Sequence, residues 1–66
     1  MSMTRSPMTV KTWKELVAHI TVYLAHGGKI EMSSIKHSEG VMHYKVVYPT
    51  ENAGVIAGAI KAITID

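Results

Sequence analysis

The sequence predicts a single small α+β domain of order α-β-β-α, an antiparallel β-hairpin layered against two helices. Three observations predict it. The 66 residues are 47% apolar and 18% charged, a globular composition with room for one domain only. A helix start signal at Thr12 is followed by apolar residues at helical spacing and then by two runs of strand-like alternation. After Pro49, the run from Ala53 to Ile63 carries one charge, Lys61.

Met1 to Met8 are polar, contain Pro7 and follow no period, so residues 1–8 are expected as a mobile N-terminal tail and 9–66 as the α+β domain. Thr12-Trp13-Lys14-Glu15 fits the S/T-x-x-E capping box, in which hydroxyl and carboxylate each satisfy a free backbone donor. Trp13, Leu16, Val17, Ile20, Tyr23 and Leu24 then recur on one face, and Gly27-Gly28 ends the run, giving a helix over 13–26. On this spacing Trp13 belongs to the core.

Residues 29–37 and 41–48 read as two strands joined by a three-residue loop, Ser38-Glu39-Gly40. Met42, Tyr44, Val46 and Tyr48 face inward, and Val41, His43, Lys45 and Val47 face outward. The first strand alternates less well because Ser33-Ser34 interrupts it. With His37 opposite Val41, Ile30 and Met32 fall inside and Ile35 outside, and a slip of one residue would reverse this. Pro49 stops the strand, Thr50 is the expected cap, and a second helix runs from Glu51 to about Ala62, with Ile63-Thr64-Ile65 as an alternative short closing strand.

The second helix at first looks apolar on every side. On a wheel it divides into a core face of Ile56, Ile60 and Ile63, flanked by Val55, Ala59 and Ala62, and an outer face of Gly54, Ala57, Gly58, Lys61 and Thr64. Two glycines inside a helix cost about 1 kcal/mol each relative to alanine, so the Gly54/Gly58 line invites a packing partner.

A chain of this size buries only about 60% of its unfolded surface. With no cysteine, disulfides cannot supplement the core. A homodimer is therefore expected, completing a four-stranded sheet by edge pairing between copies. The net charge is +2, and the seven basic residues are scattered. No apolar run is long enough to span a membrane, and the N-terminus lacks a signal-peptide core, so a cytoplasmic protein with no membrane partner is expected.

Chemistry-bearing patterns are sparse. His19 and His26 stand seven apart, about 10.5 Å along a helix and too far to share an ion. Glu15 and His19 have i, i+4 spacing but no third ligand in pattern. No nucleophile elbow surrounds Ser33, Ser34 or Ser38, and Gly27-Gly28-Lys29 leads into a strand rather than the helix of a phosphate loop. The histidines are expected on the polar surface, and Met32 and Met42 as core fillers. No catalytic residue, metal or cofactor is expected.

What remains is a non-enzymatic protein-binding module, of the kind phages and mobile elements encode to inhibit a host or defence complex by surface contact. Its expected surface joins the outer hairpin face (Ile35, Val41, His43, Lys45, Val47) to Gly54, Gly58 and Lys61. The alternative is a small nucleic-acid-binding regulator using Lys36, His37, Lys45 and Tyr44, with the tyrosine as a stacking platform.

Overall fold

The stretch expected as a tail is a strand. In the computed structural model, which describes residues 2–63, β1 (Met3–Val10) forms one edge of a three-stranded antiparallel sheet. It is followed by α1 (Trp13–Ala25), β2 (Lys29–Ser38), β3 (Val41–Pro49), a 3₁₀ turn over Thr50–Asn52, and α2 (Ala53–Lys61). The strand order β1-β3-β2 makes β1 and β2 parallel neighbours of a shared central strand, a split β-α-β unit. The α+β class holds, with the hairpin's third strand supplied by the chain itself.

The tail expectation failed because β1 hides its period among small polar residues. Thr4, Ser6 and Met8 are half-buried and Val10 fully buried, while Arg5, Pro7 and Thr9 between them are exposed. Ser6 lies opposite Val46, and Met8 opposite Tyr44. The hydroxyls of Thr4 and Thr50 meet at 2.7 Å, so Thr50 ties down β1 instead of capping a helix. Asn52 stands at the N-cap of α2, and its side-chain amide donates to the His26 carbonyl oxygen at 2.9 Å.

α1 begins and ends as the sequence dictates. The Thr12 hydroxyl accepts from the Glu15 amide at 3.1 Å. At the far end the Gly28 amide donates to the Tyr23 carbonyl at 2.7 Å and that of Gly27 to the Leu24 carbonyl, with Gly27 at φ +80°. These two bonds are the Schellman stop, and the positive φ explains glycine at that position.

The hairpin turn is tighter than expected. Ser38 pairs with Val41, and the two residues between them, Glu39 and Gly40, sit at φ 54° and 81°. Positive φ at both positions is the type I′ geometry, whose twist suits a two-residue hairpin. His37 consequently lies opposite Met42 rather than Val41.

Further along, Lys36 pairs with His43 but Glu31 with Lys45, so Met32 to Ile35 bulge opposite Tyr44 alone. The Ser34 hydroxyl repairs the ladder there. It donates to the Glu31 carbonyl at 2.6 Å and accepts from the Lys45 amide at 2.8 Å. The bulge swings Ile35 onto the core and leaves Met32 exposed, the reverse of the expected placement for both.

The core lies between one sheet face and the helices. It unites Val10, Met42, Tyr44 and Val46 of the sheet with Leu16 and Tyr23 of α1 and Ile56 of α2. His19, expected at the surface, is 8% exposed, and its Nδ1 is hydrogen bonded to the Tyr44 hydroxyl at 2.9 Å. Trp13, expected in the core, projects into solvent with Val17 and Leu24.

Both sheet edges are blunted. The Lys45 amide points toward β2, so its partner across β1, Pro7, occupies a non-hydrogen-bonded position with its nitrogen facing the free edge. A proline there offers no donor to an incoming strand, and the bulge spoils the β2 edge. Edge pairing between copies would now join two three-stranded sheets, against both of these features. The alternative closing strand at Ile63-Thr64-Ile65 lies largely outside the described residues, and α2 ends at Lys61.

Candidate functional site: the open face of the sheet

Helices cover one face of the sheet and leave the other bare. Antiparallel partners share a face. Arg5, Val47 and Lys29 therefore form one row of the open face, Pro7, Lys45 and Glu31 the next, and Thr9, His43 and Lys36 the third. Four of the chain's seven basic residues stand on these rows with a single acid, Glu31. The sequence pattern grouped only Lys36 and Lys45; Arg5 and Lys29 reach the face through pairing to β3, and the four residues are spread over forty positions of the chain.

The acid is already engaged. Arg5 Nε and Nη2 each donate to one Glu31 carboxylate oxygen at 2.8 Å, a bidentate pair that bridges β1 and β2 over the central strand. Lys29, Lys36 and Lys45 supply the rest of the positive field. A groove of about 580 Å³ runs across the face beside the bulge, bordered by Arg5, Glu31, Ser33, Lys36, His43 and Lys45. Val41 and Val47 are half-buried between the charges.

The expected surface residues divide into separate groups. Val41, His43, Lys45 and Val47 share the open face, joined by Lys36 and by Arg5 and Lys29, which sequence reasoning missed. Ile35 belongs to the core margin. Gly54, Gly58 and Lys61 are exposed on α2, across the sheet from His43 and Lys45, so the single surface expected from the sequence is two.

The nucleic-acid set separates as well. His37 lies opposite Met42 and so on the helix-facing side, and Tyr44 is buried on that same side. Tyr48 also faces the helices, its ring 5.7 Å from that of Tyr23. With Trp13 on α1, all four aromatic residues of the chain lie away from the open face.

A Cβ added at Gly54 or Gly58 would meet no atom within 4 Å. Among the described residues, the glycines therefore permit no close approach. Gly58→Ala should stabilise the domain by about 0.5–1 kcal/mol through higher helix propensity, measured as a raised thermal midpoint. A lowered midpoint would show that bare glycine is needed there.

Among the described residues, no three of His, Asp and Glu come together as metal ligands. No helix among them is long and apolar enough to cross a membrane. No family model, curated protein or solved structure matches the chain.

Proposed function

We propose that the chain is a non-enzymatic protein-binding module whose open sheet face docks on an acidic protein surface. The observation that carries this is the concentration of Arg5, Lys29, Lys36 and Lys45 on one flat face whose lone acid is internally paired. Complementary charge steers encounter, and the valines between the lysines offer apolar contact once water leaves. Covering a partner's surface in this way is sufficient for inhibition, the use expected of a phage- or mobile-element-encoded chain working in the cytoplasm.

The same charge also suits phosphate backbones, which keeps a nucleic-acid regulator as the second candidate. Against it stand Glu31 in the middle row of the face and the absence there of any tyrosine or tryptophan, which leaves His43 as its one aromatic ring.

The test is affinity capture from the native host with the natural chain and with Lys36→Gln/Lys45→Gln, identifying retained proteins by mass spectrometry. An acidic protein held by the natural chain and lost by the variant is expected, with binding weakened about tenfold or more by removal of the two charges. Titration against single- and double-stranded oligonucleotides at about 150 mM salt decides the alternative. Submicromolar binding with steep salt dependence would transfer the function to nucleic acid.

A further inference from the structure

α1 carries two apolar lines. One runs through Leu16 and Tyr23, with His19 between them, and is buried in the core. The other is Trp13, Val17 and Leu24, exposed by 64%, 59% and 61%, with half-buried Ile20 between the last two. At about 100° per residue these four fall in a sector of about 60°, roughly a quarter turn from the buried line. Single exposed apolar residues are ordinary, but a continuous seam containing the chain's only tryptophan is not.

We propose that this seam is a homodimer interface in which α1 packs antiparallel against α1 of a second copy. The spacing i, i+4, i+7, i+11 is that of a helix–helix seam. A two-fold contact must be self-complementary, so each residue needs a suitable partner on reversal. Reversal about the midpoint of the seam sets Trp13 against the partner's Leu24 and Val17 against the partner's Ile20. Both pairs share one midpoint, so a single axis satisfies all four residues.

Charge selects the same orientation. The last turn of α1 contains no basic residue to offset the partial negative charge of its carboxyl end. Antiparallel packing brings the partner's Lys11 and Lys14 toward that end. The blunted strand edges remove the competing route to a dimer. A seam this short falls below the about 1,200 Å² of a standard interface, so a weak dimer with Kd on the order of 10–100 µM is expected. The interface lies on the helical layer and leaves the basic sheet face free, so it stands or falls independently of the partner proposed above.

Sedimentation equilibrium from about 5 to about 500 µM tests the dimer across that Kd range. The natural chain should move from monomer to dimer, with a blue shift of Trp13 fluorescence as the indole leaves water. Val17→Glu should remain monomeric with an unchanged circular dichroism spectrum, because Val17 is not part of the core. Since the chain has no cysteine, orientation can be read by mixing Trp13→Cys with Leu24→Cys under mild oxidation. The mixed disulfide is expected. Trp13→Cys should not link to itself, because an antiparallel seam places those positions about 16 Å apart along the axis, beyond the about 7 Å a disulfide spans. A natural chain that stays monomeric throughout, or a dimer that fails to form the mixed disulfide, overturns the proposal.

Discussion

Replacing Gly28 with alanine should destabilise the domain by about 3 kcal/mol, a large fraction of the roughly 3–5 kcal/mol that a core of this size supplies. Gly28 is buried where the end of α1 crosses onto the sheet. A Cβ there would stand 2.8 Å from the Val47 carbonyl oxygen, 3.0 Å from Tyr48 Cβ and 3.1 Å from the Tyr23 carbonyl oxygen. Two of these neighbours are backbone, and neither is free to yield. The Tyr23 carbonyl accepts the Gly28 amide in the helix stop, and Val47 sits in the central strand with partners on both sides. Relief would require α1 to lift away from β3, opening the core between Tyr23 and Val46.

The expected result is a thermal midpoint lower by about 15 °C or more, since each kcal/mol moves a domain of this size by about 4–8 °C. Gly58→Ala is the matched control, because it adds the same methyl group to open space. A Gly28→Ala midpoint within a few degrees of the natural chain would mean that the helix and sheet are less tightly joined than these distances require.

The parts of the fold legible in the sequence are those set by local chemistry. Thr12 and Gly27 mark the ends of α1 because a cap and a left-handed stop each depend on a single residue type. The inward alternation of Met42, Tyr44 and Val46 survives because a central strand is buried along one whole face. What escaped was set by neighbours distant in sequence. β1 contributes Ser6 and Thr4 to the covered side, and these look like tail residues until Val46 and Thr50 stand beside them.

Ile35 and Met32 exchanged places because the bulge adds residues that no alternation pattern records, although Ser33-Ser34 marked where it occurs. Trp13 was assigned to the core since helical periodicity gives the width of an apolar face but not how much of it a small partner layer covers. The candidate site was legible only in half. Val41, His43, Lys45 and Val47 lie on one strand and could be grouped by alternation. Arg5 and Lys29 reach that face only through pairing to β3.

Tyr44→Ala should leave little folded protein at 25 °C, because removing a fully buried aromatic side chain costs about 3–5 kcal/mol. Tyr44→Phe separates the hydroxyl from the ring. It keeps the packing against Leu16 and Val46 but deprives the buried His19 Nδ1 of its partner, for an expected loss of about 1–3 kcal/mol. Adding His19→Leu to Tyr44→Phe should cost less than the two single changes summed, since removing both members leaves no orphaned polar group. Simple additivity in urea denaturation would show that the hydrogen bond contributes nothing of its own.

The pair also predicts an alkaline response. Burial, then Tyr23 and Glu15 nearby, hold the Tyr44 phenol above its ordinary range. Below the ordinary tyrosine value of about 10, folded and unfolded chains both keep the proton and stability is at its full value. As pH rises past that value the unfolded chain releases its proton first, so stability falls. Tyr44→Phe should make that fall shallower between about pH 9 and about pH 11, and the slope that remains belongs to Tyr23, which is raised by burial and by Tyr48. An unchanged slope in denaturation midpoints across this range would place the Tyr44 hydroxyl in contact with water, and the core between α1 and β3 would then be open where the structure closes it.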